Sequence, residues 1–137
     1  MIAITQDQSE RLLRCGVSAD TADMMFTPHN TLSTKPYKEA LKDRGYIPAW
    51  SLSALLTKVL PSKIVKKNEY HIWLTYELKI TTENSEWCAV YESCEDSIDL
   101  GQSIIDVLFF TEASDPIEAC VLMAEKLVAN GYKLNEQ

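Results

Sequence analysis

Residues 69–93, EYHIWLTYELKITTENSEWCAVYES, decide how this chain folds. Tyr70, Ile72, Leu74, Tyr76, Leu78 and Ile80 alternate with Glu69, His71, Trp73, Thr75, Glu77 and Lys79. Successive side chains of a strand point to opposite faces, so this period of two predicts a strand with one buried face. Thr82 to Ser85 is a polar turn signal, and Glu86 to Ser93 reads as the returning strand. A tight hairpin centred between Glu83 and Asn84 pairs Ile80 with Trp87, Leu78 with Ala89 and Tyr76 with Tyr91, which puts these side chains on one face. The opposite face carries His71, Trp73, Glu77 and Lys79 beside Cys88, Val90, Glu92 and Cys94, a mixed and partly wetted surface. Ile104 to Phe110 is a candidate third strand, although its apolar run is too short for period alone to separate strand from helix.

The last helix is equally plain. Asp115 is a good N-cap, Pro116 occupies the first helical position, and Glu118 completes a capping box. Ile117, Cys120, Val121, Ala124, Leu127 and Val128 then form one apolar stripe, Lys126 lies near the negative end of the dipole, and Gly131 supplies a left-handed stop. Further upstream, Thr5 with Gln8 starts a helix that runs to about Arg14, and Ser18 caps a short helix through Met25. Phe26 to Thr34 is a loop, and Lys35 to Arg44 holds a short helix between Pro36 and Gly45. Tyr46 to Trp50 is extended, with Trp50 a core residue. Ser51 caps a helix bearing Leu52, Leu55, Leu56 and Val59, which ends before Pro61.

Helices, then a hairpin, then a helix indicate an α+β fold: an antiparallel hairpin or three-stranded sheet, packed on one face by the Pro116–Asn130 and Leu52–Val59 helices. With 137 residues and no repeat or low-complexity stretch, residues 1–137 read as a single domain. The first residues lack a basic stretch followed by an apolar run, and no apolar segment approaches the ~18 residues of a membrane span. The expectation is a cytoplasmic protein with no membrane partner.

Little in the sequence carries chemistry. The four glycines, at 16, 45, 101 and 131, form neither a dinucleotide-binding fingerprint nor a phosphate loop. Cys15, Cys88, Cys94 and Cys120 include no C-x-x-C pair, and His29 and His71 are isolated, so the reading is free thiols with no metal and no cofactor. Cys94 or Cys88 with His71 is a candidate pair for a small hydrolase, but no oxyanion site accompanies it. Glu92 and Glu95 are a candidate acid–base pair with nothing to drive their pKa values apart.

The net charge of −7 is unevenly spread: −2 over residues 1–34, +6 over 35–67 and −11 over 68–137. The basic third holds Lys35, Lys38, Lys42, Arg44, Lys58, Lys63, Lys66 and Lys67, flanked by Tyr37, Tyr46 and Trp50. It reads as the solvated side of two short helices and a turn; the alternative is nucleic-acid association through Lys63, Lys66 and Lys67. A helix–turn–helix reader is disfavoured because its second helix, residues 18–25, carries two acids and no base. Mimicry of nucleic acid by Glu83, Glu86, Glu92, Glu95, Asp96 and Asp99 is the converse idea, against an ordinary soluble acidic surface.

Several stretches together resemble a known group. They are Ile47-Pro-Ala-Trp-Ser-Leu-Ser-Ala-Leu-Leu56 with Pro61 after it, and Asp115-Pro-Ile-Glu-Ala-Cys120 through Ala129-Asn-Gly-Tyr132. Leu12-Leu13 with Cys15-Gly16-Val17, and Thr21-Ala-Asp-Met24, add to them. The chain thereby resembles small proteins of unknown function encoded in prophages and mobile elements of bacteria, often gut anaerobes. The resemblance implies a genetic setting and supplies no catalytic residue, ligand or activity. The functional expectation is a non-enzymatic accessory protein that binds a protein partner, with His71, Trp73, Glu77, Lys63, Lys66 and Lys67 as its candidate interaction surface.

Overall fold

In the computed structural model, residues 3–33, 45–97 and 102–135 are described, the side chains of 94–97 and 102–104 excepted. Helix α1 (Gln6–Arg14) begins with the expected capping box. Gln8 N–H donates to the Thr5 hydroxyl, and the Thr5 N–H donates to the Gln8 side chain at 2.9 Å. Ser18 caps only a 3-10 turn, Ala19–Thr21, and the helix expected through Met25 does not form. The cause is tertiary. Trp50 Nε1 donates to Thr21 Oγ1 at 2.8 Å, and the Asp23 carboxylate accepts from both the N–H (2.8 Å) and the hydroxyl of Ser51. With those side chains committed, Met24–Phe26 extends as β1 and pairs antiparallel with β2 (Leu32–Ser33) and β3 (Ile47–Ala49). Of the stretch expected to be loop, Phe26 to Thr34, residues 27–31 are loop, while Phe26 and Leu32–Ser33 belong to the strands of this small hairpin. The helix expected between Lys35 and Arg44 lies outside the described residues.

Ser51 caps α2 (Leu52–Ala54), as its position in the sequence predicts. The winding continues as a π turn, Leu55–Val59, in which Leu60 N–H reaches the Leu55 carbonyl at 2.8 Å. Helix ends leave carbonyls unsatisfied. Here Asn135 serves two of them, donating from its backbone N–H to Val59 and from its side chain to Leu60, each at 2.9 Å.

The main sheet has four antiparallel strands in the order β4 (Lys63–Lys67), β5 (Trp73–Glu83), β6 (Glu86–Ser97) and β7 (Gln102–Ala113). The chain is therefore α+β, as expected, with one strand more than the largest sheet the sequence suggested. Residues 104–110 are strand. Asn84 and Ser85 both take positive φ, 51° and 68°, the mark of a two-residue type I′ turn. The hairpin centre therefore falls between them, and Leu78 faces Tyr91 while Ile80 faces Ala89. The expected pairs are displaced by two residues, a slip that leaves every side chain on its expected face. Strand β5 also starts later than its alternation implies. Asn68 Oδ1 accepts from the N–H groups of Tyr70 and Ile72, both at 2.9 Å, and His71 sits at φ 64°. That turn leaves Tyr70 and Ile72, expected on the buried face, 74% and 53% exposed.

The inner face presents Leu74, Tyr76, Ala89 and Tyr91 to the core. Helix α3 (Pro116–Ala129) lies on β6 and β7, and α1 packs against α3 from the other side. Tyr91 is fully buried and its hydroxyl donates to the Pro61 carbonyl at 2.6 Å, which ties the end of the π turn to the sheet. Arg11 on α1 reaches Glu118 and Glu125 on α3, both at 2.6 Å. Truncation by Arg11→Ala leaves two half-buried carboxylates without their shared cation, and is expected to cost about 2 kcal/mol in urea unfolding. Ser85→Gly removes the left-handed penalty in the turn and is expected to stabilise by about 0.5 kcal/mol at unchanged m-value.

Candidate functional site

Alternation along the four strands gives the main sheet an outer face, directed away from α3. Lys63, Val65 and Lys67 of β4 lie directly across from Glu77, Thr75 and Trp73 of β5. Across the centre, Lys79, Val90 and Phe110 form one row, and Glu77, Glu92 and Val107 the next. Thr81, Cys88 and Glu112 follow towards the Asn84 turn, and Glu83 and Glu86 close the face.

Val65, Trp73, Ile105, Val107 and Phe110 stand between 41% and 66% exposed on this face. Contiguous apolar side chains facing water mark interaction sites more often than isolated ones do. Charged groups are interleaved with them. Lys79 Nζ lies 2.8 Å from Glu92 Oε1, and Lys67 Nζ lies 5.8 Å from the centre of the Trp73 ring. A groove of about 380 Å³ runs past Trp73, Thr75, Glu77, Lys79 and Glu92.

A β-bulge shapes the region. Tyr91 pairs with Phe109 but Glu92 pairs with Val107, so Leu108 is the extra residue of β7. Bulges bend a strand and raise its twist. The β5–β6 ladder ends at the same point, its last pair being Glu77 with Glu92. Beyond it, β5 continues against β4 and β6 continues against β7, so the sheet divides into two ribbons. Tyr76 Oη donates to Asp106 Oδ2 at 2.5 Å and ties the ribbons on the inner side, next to a smaller groove of about 270 Å³ lined by Tyr70, Leu74 and Ser93.

The two candidate sets from the sequence, the hairpin-face residues and the lysines, belong to one ribbon. Lys63 and Lys67 share the outer face with Glu77 and Trp73; Lys66 lies across from Leu74 and takes the opposite side. The lysines sit on a strand, not on helices and a turn as the charge pattern suggested. His71 occupies the β4–β5 turn, exposed, and is not part of the strand face. Val65, Ile105, Val107 and Phe110 were missed as surface residues. For Ile105, Val107 and Phe110 the signal was present in the apolar run 104–110, whose strand period could not be established from so few positions.

The thiols are placed for packing. Cys88 is buried on the outer face across from Thr81, eight positions along β5 from Trp73, so it lies roughly 26 Å from the turn that holds His71. Burial pushes its pKa up, and the nearby Glu112, Glu83 and Glu86 push in the same direction. Reactive thiols need the opposite, an electropositive setting. Burial raises Cys120 from the ordinary 9.0 to about 12, and Cys15 is also raised. The side chain of Cys94, the other candidate nucleophile, is outside the description, as is that of Glu95. Among the described residues no cluster of three or more His, Cys, Asp or Glu could hold a metal, and no helix is long and apolar enough to cross a membrane. The chain matches no family model, no curated protein and no solved structure.

Cys88 and Cys120 are expected to resist alkylation at pH 8 in the native state and to react fully in denaturant, as read by peptide mapping. The folded Cys120 thiol keeps its proton to higher pH than the unfolded one. Its stabilising contribution is therefore complete below 9.0 and disappears as pH rises towards about 12. Over that interval Cys120→Ala should lose stability less steeply than the wild type, by up to ~1.4 kcal/mol per pH unit.

Proposed function

We propose that this chain is a non-enzymatic accessory protein of a phage or mobile element, and that it works by binding a protein through the outer face of the β4–β7 sheet. The genetic setting rests on the resemblance of the Ile47–Leu56 and Asp115–Tyr132 stretches. The binding mode rests on one observation: Val65 and Trp73 on the β4–β5 ribbon, and Ile105, Val107 and Phe110 on β7, project into water from the outer side of one hydrogen-bonded sheet. Such side chains gain from desolvation only when another surface covers them, at about 25 cal/mol per Å² removed from water. A sheet also holds its side chains in fixed positions, which limits the entropy lost on docking.

Nucleic acid is the second reading, and it has a specific observation in its favour. Lys63, Lys66 and Lys67 share a ribbon with exposed Trp73 and Tyr70, a combination suited to phosphate attraction and base stacking. Glu69 and Glu77 in the same ribbon, and the carboxylates around Cys88, oppose a polyanion on this face. Protein is therefore the preferred partner class.

The test is capture of the tagged protein's partners from host lysate after nuclease treatment, comparing the wild type with Trp73→Ala and Val107→Asp. Both positions are exposed, so both variants should retain the wild-type circular dichroism and unfolding midpoint. The expected result is a stoichiometric protein partner reduced at least tenfold by either change. A partner retained in full by both variants would refute the assignment to this face, and a partner lost with nuclease would transfer it to nucleic acid.

A further inference from the structure

The split between the two ribbons leaves part of β5 without a neighbouring strand. Backbone groups of a strand point alternately to its two neighbours, and the bonds of β5 show which residues point where. Leu78 N–H donates to the Ser62 carbonyl at 3.0 Å, and Asn68 N–H donates to the Ile72 carbonyl at 2.9 Å. The even-numbered residues from Ile72 to Leu78 therefore turn their N–H and C=O groups to β4, and Trp73, Thr75 and Glu77 turn theirs to β6. The β5–β6 ladder stops at Glu77 and Glu92, so among the described residues no strand pairs with Trp73 or Thr75 on that side. Backbone groups within a sheet are ordinarily paired; here they line an opening.

Two grooves flank the opening, one on each side of the sheet, and they meet in it, because Leu74 and Ser93 line both. The outer groove runs past Trp73, Thr75 and Glu77, and the inner one past Glu69, Tyr70 and Asp106. An extended chain laid along the β5 edge sends successive side chains to opposite faces. They enter the outer and inner grooves in turn. Strand-addition sites work in this way: main-chain bonds supply affinity, and pockets for alternate side chains supply the choice of sequence. We propose that the split receives an extended peptide segment of a partner, paired with Trp73 and Thr75 of β5, with an arginine or lysine side chain in the inner groove.

The inner groove sets the charge of its occupant. Leu74 and the exposed Tyr70 ring offer apolar surface to a long stem, Glu69 and Asp106 offer carboxylates to its tip, and no base is among the described residues that line it. A cation over the Tyr70 ring gains further. In the outer groove Lys79 is already bridged to Glu92 at 2.8 Å, and Trp73 supplies an apolar wall. The Tyr76–Asp106 hydrogen bond crosses beneath the closed end of the split, so pairing is confined to Trp73–Thr75, roughly 7 Å of strand. So short a ladder gives weak, reversible association, on the order of 100 μM. The site uses the backbone of the split and not Val107 or Phe110, and so stands apart from the outer-face reading.

The test is an NMR titration of the ¹⁵N-labelled chain with the peptide acetyl-Thr-Val-Arg-Val-Arg-Val-Thr-amide, up to about 2 mM. Two analogues accompany it: one with Glu for each Arg, and one N-methylated at every internal residue, which keeps the charge and side chains but cannot form a ladder. Without peptide, the Trp73 and Thr75 amide protons should exchange about tenfold faster than those of Leu74 and Tyr76, which face β4. The parent peptide should shift the Trp73 and Thr75 amides and slow their exchange about tenfold; neither analogue should do so. Glu69→Lys with Tyr70→Ala should weaken binding about fivefold. Should that variant fail to fold, the two analogues decide the matter on the wild type. No shift at the highest concentration, unchanged exchange at Trp73 and Thr75, or equal binding by either analogue would overturn the proposal. Val107→Asp should leave peptide binding unchanged, which keeps the two readings separable. Capture abolished by Val107→Asp, beside a wild type that takes no peptide, removes the strand site and keeps the outer face; peptide binding beside capture indifferent to that change does the reverse.

Discussion

Helix α3 is held from both sides, and the rest of the chain is arranged around that grip. One side rests on β6 and β7, where Thr111 Oγ1 donates to the Ala119 carbonyl at 2.8 Å inside the core. The other side meets α1, and there Arg11 joins Glu118 and Glu125 across the helix pair. The consequence is visible in the helix itself. Ala119 and Met123 are buried along with Ile117, Cys120, Val121, Ala124 and Leu127 of the expected stripe, whose last member, Val128, is 37% exposed. A helix buried on two sides needs small or flexible side chains where neighbours come close, and Ala119, Ala124 and Met123 supply them. Tyr91 extends the same grip to the π turn through Pro61, so sheet, last helix and central turn share one core.

Because the inner face of the sheet is spent on α3, the outer face is left to water and to whatever binds it. Its middle is not simply apolar: Val90 is buried between Lys79 and Phe110, and Cys88 between Thr81 and Glu112. Long side chains on the flanking strands thus shield the central strand, and the water-facing apolar groups fall to the ribbon ends and to β7. The Leu108 bulge matters here, since it turns Val107 and Ile105 to the outer face while Phe110 keeps that side above it. Without the extra residue, one half of β7 would present the opposite set of side chains.

The fold was legible where local rules and tertiary packing agree. Thr5 with Gln8, Ser51, Asp115 with Pro116, and Gly131 each mark an element end that the structure has. The faces of β5 and β6 were legible too, because a two-residue slip in register does not exchange them. The register itself was not, since Thr82 to Ser85 offers adjacent turn positions and only backbone φ distinguishes them. Tyr70 and Ile72 continue the apolar alternation, yet Asn68 captures their N–H groups and ends the strand. Met24–Phe26 misled in the opposite way, as the partners that make it a strand lie at Leu32 and Ile47. Of the candidate surface, Trp73 and Glu77 could be read from periodicity. Lys63–Lys67 could not: only Ile64 of that strand is buried, and the surrounding charge reads equally well as a solvated helix.

The same lysines bear on what the edges of the sheet can pair with. An antiparallel sheet has two free edges, and a long unprotected edge recruits further strands. Here β4 is an edge strand bearing Lys63, Lys66 and Lys67, and β7, the other edge, receives the Lys126 ammonium on its Phe110 carbonyl at 3.1 Å. Charge on an edge strand penalises a new ladder, because the neighbouring chain must desolvate it. Edge-to-edge growth, which has no closing symmetry, is thereby discouraged at both margins. The lysines of β4 and the Lys126 contact on β7 thus work in the same direction, each setting charge at a margin where a further strand would otherwise extend the ladder.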